Sequence, residues 1–421
     1  MITKVEAFNY RCLRLAGHTL DRFNVLVGPN ASGKTTFLDV ISFLGDVVSV
    51  GPETAIAKRT EQVNDMFTGG VGEHFEMAIE AQLPDDIRRV LAESQREEAE
   101  MEDYVSIRYM IRVGLSAESG EAGILGERVV LRGIEFEMDS GLFAGIPEKV
   151  YFSGRARNAR NVVHKVEGHN DNFYSEVYPN KGKGWLPSFK FGLRKSALGN
   201  LPDDGRRFPA STWLKELLTG GITQLILNSR VIRIPSAPGQ PKRLLPEGSN
   251  LPWVVDRLRT EHRPDFDQWL AHVQTALPDI IDVNTILREE DRHRYLVVNY
   301  ADGNRVPSWF VSDGTLRFLA LTLLAYLPDS GTTYLVEEPE NGLHPPVIDP
   351  LFQSFKSMYN SQMLIATHSP IALGLVDTAD ILCFRRLASG TEIIAGNRHP
   401  ALREWKGEIN LGTLIASGIL G

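Results

Sequence analysis

Two adjacent glutamates, Glu337 and Glu338, sit inside the stretch TTYLVEEPENGLHPP at residues 332–346. The residues before them read as a buried strand. A carboxylate withdrawn from water is costly unless its charge is compensated, so a paired acid at a strand end asks for a cation. Residues 28–35, Gly-Pro-Asn-Ala-Ser-Gly-Lys-Thr, offer a way to hold one. They match G-x-x-x-x-G-K-[ST], after an apolar run at Phe23–Val27 and before Phe37, Leu38, Val40, Ile41, Phe43 and Leu44 at helical spacing. Strand, glycine loop and helix form the context in which this motif cradles phosphate.

The residue types assign the roles. Gly28 and Gly33 let the backbone turn its N–H groups inward at a helix N-terminus, where the helix dipole also favours anions. Asn30, Ser32 and Gly33 fall among the phosphate contacts. Lys34 reaches the β- and γ-phosphates of a nucleotide, the Thr35 hydroxyl ligates Mg²⁺, and Thr36 adds a further phosphate contact. The cation sought by the glutamates is then a magnesium ion carried on ATP. Glu337 faces it through water, and Glu338 orients and deprotonates the water that attacks the γ-phosphate. A chance glycine-rich turn and a solvated acidic turn are the plainer readings of the two stretches.

Two further groups follow. Ser312, Asp313 and Gly314 precede a strongly apolar helix about twenty residues before the glutamates; ordinary N-capping would explain them equally well. Thr367-His368-Ser369-Pro370 ends another apolar run, Met363–Ala366. A lone histidine there is usually structural, yet this one falls at the strand ends where open α/β sheets bind ligands.

Taken in order, the phosphate loop, Ser-Asp-Gly, Glu-Glu-Pro-Glu-Asn-Gly-Leu-His-Pro and Thr-His-Ser-Pro resemble a stand-alone ABC-type ATPase of the RecF/SMC-like branch, such as the ATPase subunits of bacterial anti-phage defence systems. The resemblance covers roughly residues 1–50 and 220–421. It implies an α/β P-loop NTPase of ABC-ATPase head type: a mixed central sheet flanked by helices, an antiparallel β portion and an inserted helical or irregular lobe. It implies that Ser312, Asp313 and Gly314 form a signature loop touching the γ-phosphate on a second subunit, that His368 is a switch histidine, and that Asn341–His344 join the two sites across a homodimer, with higher assembly open. Arg11, in VEAFNYRCL, would approach the nucleotide. Residues 244–258, LLPEGSNLPWVVDRL, resemble a recurrent stretch without an assigned role. The resemblance also implies a separate effector, nuclease or toxin, and with Gly421 so soon after His368 any nuclease is expected on another chain. Three departures stand out: Glu337 replaces the usual Asp, Asp313 replaces a signature glycine, and only Gln62 and Gln82 offer themselves as a glutamine loop. The departures argue against a transporter subunit.

The elements that must position these groups suggest a division into 1–80 (first part of the ATPase lobe), 81–150 (β-rich and helical), 151–260 (inserted basic and aromatic lobe) and 261–421 (second part of the ATPase lobe). Stretches 76–84 and 104–115 alternate like strands, with an acidic exposed helix starting at 85 between them. The 421 residues carry a net charge of −8, which argues against indiscriminate nucleic-acid binding. Residues 151–210 nevertheless hold eleven Lys/Arg against five Asp/Glu. There Arg157, Arg160, Lys181, Lys183, Lys190, Arg194 and Lys195 mix with Tyr178, Trp185, Phe189 and Phe191, a pattern that suits nucleic acid, a protein groove or an irregular insertion with core aromatics. Residues 229–250 read as a Pro/Gly-rich loop or linker. No apolar run reaches membrane-spanning length, no heptad run signals a coiled-coil arm, and the two cysteines, Cys12 and Cys383, read as reduced core residues of a cytoplasmic protein.

Overall fold

In the computed structural model, residues 1–94, 103–133, 150, 159–177, 188–328, 331–387 and 390–403 are described. The chain forms two compact units: 1–21, 30–222 and 384–393 make one, and 22–29, 223–383 and 394–421 the other. No helix among the described residues is long and apolar enough to cross a membrane.

The first unit is built on an antiparallel sheet in the order Leu13–Thr19, Ile2–Tyr10, His74–Gln82, Tyr104–Leu115, Ala122–Gly133, Ala159–Val166, Asp171–Phe173 and Ser188–Phe189. Strand Tyr104–Leu115 has the expected bounds. The strand expected at 76–84 begins two residues early, because His74 and Phe75 pair with Gly114 and Val113. Pro84, which lacks an N–H for the ladder, lies beyond its end. The helix that follows covers Asp85–Ser94 and buries only Leu91; the rest of the expected stretch lies outside the described residues.

The long helix Lys34–Val50 buries Phe37, Leu38, Val40, Ile41, Phe43 and Leu44, the set read from the spacing. Phe43 and Tyr10 each meet Phe75, with ring centroids 5.5 and 5.2 Å apart. Buried charge is partnered here. Glu127 accepts from Tyr109 Oη at 3.0 Å, Ser196 Oγ at 2.6 Å, and the amides of Ala197 and Leu198 at 2.6 and 2.9 Å.

Glu176 caps the helix Pro209–Gly220, accepting from the amides of Ala210 at 2.7 Å and Ser211 at 2.8 Å. Burial pushes its carboxyl up to about 7. A folded-state value above the unfolded one gives stability that is present below the unfolded value and lost as pH rises toward 7. Thermal melts should therefore show Tm falling between about pH 5 and pH 8, and the fall should be shallower in Glu176→Gln. An unchanged slope in that variant would remove Glu176 as its cause.

The second unit carries a parallel sheet. In it Thr333–Glu337, Gln362–Ala366 and Phe23–Val27 are parallel neighbours, and Ile381, Leu382 and Cys383 pair in parallel with Val25, Leu26 and Val27. Val25, Val27, Tyr334, Val336, Met363 and Ile365 enter one apolar core, shared with helices Leu251–Glu261, Arg263–Ala276, Asp313–Leu323 and Ile348–Lys356. The alternate residues Leu26, Leu335 and Leu364 are equally buried, as a sheet covered on both faces requires. An antiparallel meander, Ile280–Leu287, Arg294–Tyr300 and Arg305–Pro307, belongs to the same unit. The stretch 229–250 is more ordered than a linker. It opens with a short helix, Ser229–Ile232, sends Ile232 and Leu244 into the core, and is tied by Asn250 Nδ2 to the carbonyls of Pro241 and Arg243 at 3.0 and 2.7 Å.

Candidate functional site

Register decides what shares an edge. Glu337 pairs with Ala366, and Ala366 with Leu26. The carboxyl ends of three parallel strands are therefore level, and the glutamates, the Thr-His turn and the start of the phosphate loop leave the sheet side by side. The amide of Glu338 donates to Ala366 O at 2.8 Å, and that of Thr367 to Leu26 O at 3.1 Å. Glu338 has φ 47°, a left-handed conformation that a side chain bearing Cβ rarely adopts and that persists where surrounding contacts enforce it. Its carboxylate accepts from Asn341 Nδ2 and lies 2.8 Å from His368 Nδ1. Glu338 and His368 thus meet, and Asn341 joins them.

Ser312, Asp313 and Gly314 lie in the same unit. Ser312 caps the helix Asp313–Leu323, its Oγ accepting from the Thr315 amide at 3.1 Å, so the plain capping role is real. Gly314 packs so tightly that a Cβ there would stand 2.7 Å from Gly342 O, which excludes larger residues and ties this loop to the one after Glu338. The negative charge of Asp313 is met by Arg233, whose Nη2 lies 2.8 Å from Asp313 Oδ1 and donates to Val311 O at 2.6 Å. Arg233 was not foreseen: it stands eighty residues upstream, in a stretch read as a loop.

The phosphate loop continues from Val27 into the other unit. Gly33 has φ 104° and a Cβ at that position would meet Thr391 Oγ1 at 2.9 Å and Cys12 Sγ at 3.2 Å, so glycine is required on both counts. The helix Lys34–Val50 starts at Gly33, which has no side chain to cap it. Ser32 Oγ is buried with no hydrogen-bond partner among the described residues. Its carbonyl accepts from Thr391 Oγ1 at 3.0 Å. Asn30 and Thr35 are exposed, and Lys34 and Thr36 half-buried. An orphaned buried hydroxyl and a glycine cradle at the start of a helix fit a phosphate group.

Beside this loop lies a cavity of about 770 Å³ lined by Arg11, Cys12, Arg14, Thr68, Arg386 and Thr391, among others. Arg11 has φ 50° and sits 3.5 Å from Asp39. Cys12 is half-buried, with its thiol donating to Thr36 Oγ1 at 3.3 Å, so it borders the loop rather than filling a core; Cys383 is buried as expected. Gln62 precedes the turn Val63–Met66, and Gln82 ends its strand; both are exposed.

The basic stretch divides. Arg160 is buried, and Lys165 is buried against Asp171 at 3.0 Å. Phe189 and Phe191 stack at 5.3 Å and both meet Phe173 edge-on. Lys190, Arg194 and Lys195 are exposed. Arg157, Tyr178, Lys181, Lys183 and Trp185 lie outside the described residues.

Comparisons with known proteins agree with this architecture. The chain is similar to the crystal structure of an SmcHead bound to the C-winged helix domain of ScpA, at 13% identity, covering 93% of this chain and 97% of that one, with TM-score 0.51. It is equally similar to the Smc head domain with an extended coiled coil bound to the C-terminal domain of ScpA from Pyrococcus furiosus, at 13% identity, 93% and 95% coverage and TM-score 0.51. Comparison with curated proteins returns no match. The family "AAA domain, putative AbiEii toxin, Type IV TA system" matches residues 23–374. That span holds the phosphate loop, both glutamates and His368, and the chain belongs to this family of AAA domains, with the fold of an SMC head.

Proposed function

We propose that the chain binds Mg-ATP, dimerises through it and hydrolyses it to control a nucleic-acid-linked process, anti-phage defence or DNA repair, through a separate effector protein. The observation that carries this reading is the level edge on which Glu337, Glu338, His368 and the start of the phosphate loop leave adjacent parallel strands. Lys34 and the loop amides hold the triphosphate, and Thr35 and Glu337 hold the metal. The metal shields charge on the phosphate oxygens. Glu338, steadied by Asn341 and His368, orients water and takes its proton. A second copy brings Ser312 to the γ-phosphate, with Asp313 neutralised by Arg233. Catalysis of this kind is positioning and charge stabilisation, with little covalent work for the protein.

The dimer step has its own test. Ser312→Arg should leave ATP affinity unchanged and lower turnover roughly 100-fold, the loss expected when a transition-state contact disappears. Because Ser312 also caps its helix, the control is Ser312→Ala, which loses the cap without blocking the surface. Normal turnover in Ser312→Arg would remove the second subunit from the site.

A second reading makes the chain a regulatory ATPase that holds a toxin or effector without touching nucleic acid. The burial of Arg160 and Lys165 favours it, since neither side chain is available to a phosphate backbone. Filter binding across a salt titration separates the two: a steep slope supports direct phosphate contacts, and no retention at low salt supports the regulator.

A further inference from the structure

The acid to which the chemistry above gives no task is Glu340. It is 8% exposed, whereas the side chain of Glu338 is 37% exposed. One oxygen accepts from Thr367 Oγ1. The other is buried with no hydrogen-bond partner among the described residues. A buried acid left half-satisfied is a poor device for stability, so its placement calls for a reason in what it holds.

Thr367 is fully buried, and its hydroxyl is committed twice. The oxygen accepts from the Ser369 amide at 3.0 Å, and the hydrogen goes to Glu340. Its own amide is bonded to Leu26 O, the last but one residue of the phosphate-loop strand. Thr367 immediately precedes His368, and Glu340 follows Glu338 by two residues. The Thr367–Glu340 bond therefore joins the turn carrying His368 to the loop carrying Glu338. On its far side the same loop meets the signature helix, where Gly342 O presses on Gly314. The charged groups around Glu340 are Glu338, His368 and, on that helix, Arg317. Burial, with the Glu338 charge behind it, pushes its carboxyl up.

We infer that Glu340 is a positioning residue: through Thr367 it clamps the histidine turn to the glutamate loop and so fixes the Glu338–His368 pair at the sheet edge. The inference rests on Glu338 being the group that activates water.

Steady-state ATP hydrolysis by the full chain tests it, with Glu340→Ala, Thr367→Val, their double variant, Glu340→Gln and Thr367→Ser. Removing either end of the bond should lower kcat about tenfold with KM for ATP unchanged, because the bond acts on water orientation and not on nucleotide binding. The double variant should be no worse than the singles, since two residues acting through one bond are not additive. Glu340→Gln keeps an acceptor and Thr367→Ser keeps the donor, so both should recover most of kcat. Thr367→Val changes one hydroxyl for a methyl and keeps the test open if Glu340→Ala folds poorly. Normal kcat in Glu340→Ala and Thr367→Val, alongside an inactive Glu338→Gln, overturns the inference alone. So does a fall in ATP affinity that matches the fall in kcat, or a double variant whose losses multiply. Full turnover in Glu338→Gln overturns both the inference and the reading beneath it.

Discussion

Glu338→Gln should bind ATP as tightly as the unmodified chain, hydrolyse it about a thousandfold more slowly, as expected when a general base is removed, and accumulate as a dimer. The substitution keeps the length and shape of a side chain that is held at φ 47°, so no new backbone strain is introduced. What disappears is the charge proposed to accept the water's proton. Binding depends on the phosphate loop, which belongs to a different part of the chain, and is untouched. A nucleotide that brings two copies together and then cannot be cleaved keeps them together. Light scattering after gel filtration with ATP and magnesium reads the dimer, and phosphate release reads turnover. Hydrolysis at the unmodified rate would show that another group activates the water.

Lys34→Ala should fail earlier, at binding. Lys34 is the first residue of the helix Lys34–Val50, where alanine is well tolerated, so thermal stability should hold. The lost ammonium is the proposed counter-charge to the β- and γ-phosphates, and charge-assisted contacts of this kind lie among the stronger single interactions. ATP affinity should fall at least roughly 100-fold, about two contacts' worth, and no ATP-dependent dimer should form. Titration with a fluorescent ATP analogue reads the affinity. Retained affinity would show that the loop amides suffice alone. The two inactive variants are thus opposites: one collects dimer, the other never makes it.

Much of this arrangement could be read before folding was known, and the reason is local. A short apolar run followed by a glycine loop fixes a strand and a turn within a few residues, so Phe23–Val27 has the bounds expected of it. The helix after it declares its buried face by spacing alone. The strand before the glutamates ends at Glu337, as its composition suggests. What sequence could not deliver were pairings between distant residues. Nothing local says that Arg233 meets Asp313, or that Thr367 meets Glu340. The basic stretch failed to declare itself for the same reason. Arg160 and Lys165 look solvent-seeking in isolation, yet the sheet buries them, Lys165 against Asp171. Cys12 seemed a core residue because cysteine usually is, but strand pairing leaves it beside the phosphate loop.

The Arg233–Asp313 pair bears on the proposed signature role of the Ser312 loop. An unpaired carboxylate there would repel an incoming phosphate, whereas one paired with Arg233 leaves the loop close to neutral. Gly314 and Gly342 supply the complementary constraint, a contact too close for any side chain.

The most direct measurement is a structure of the Glu338→Gln chain with ATP and magnesium. One triphosphate should lie in the loop formed by residues 28–36, with its metal between Thr35 and Glu337 and Ser312 from a second copy at the γ-phosphate. A nucleotide enclosed by a single copy, or bound with Glu337 and residue 338 turned away from it, would contradict the shared site on which the proposed switch depends.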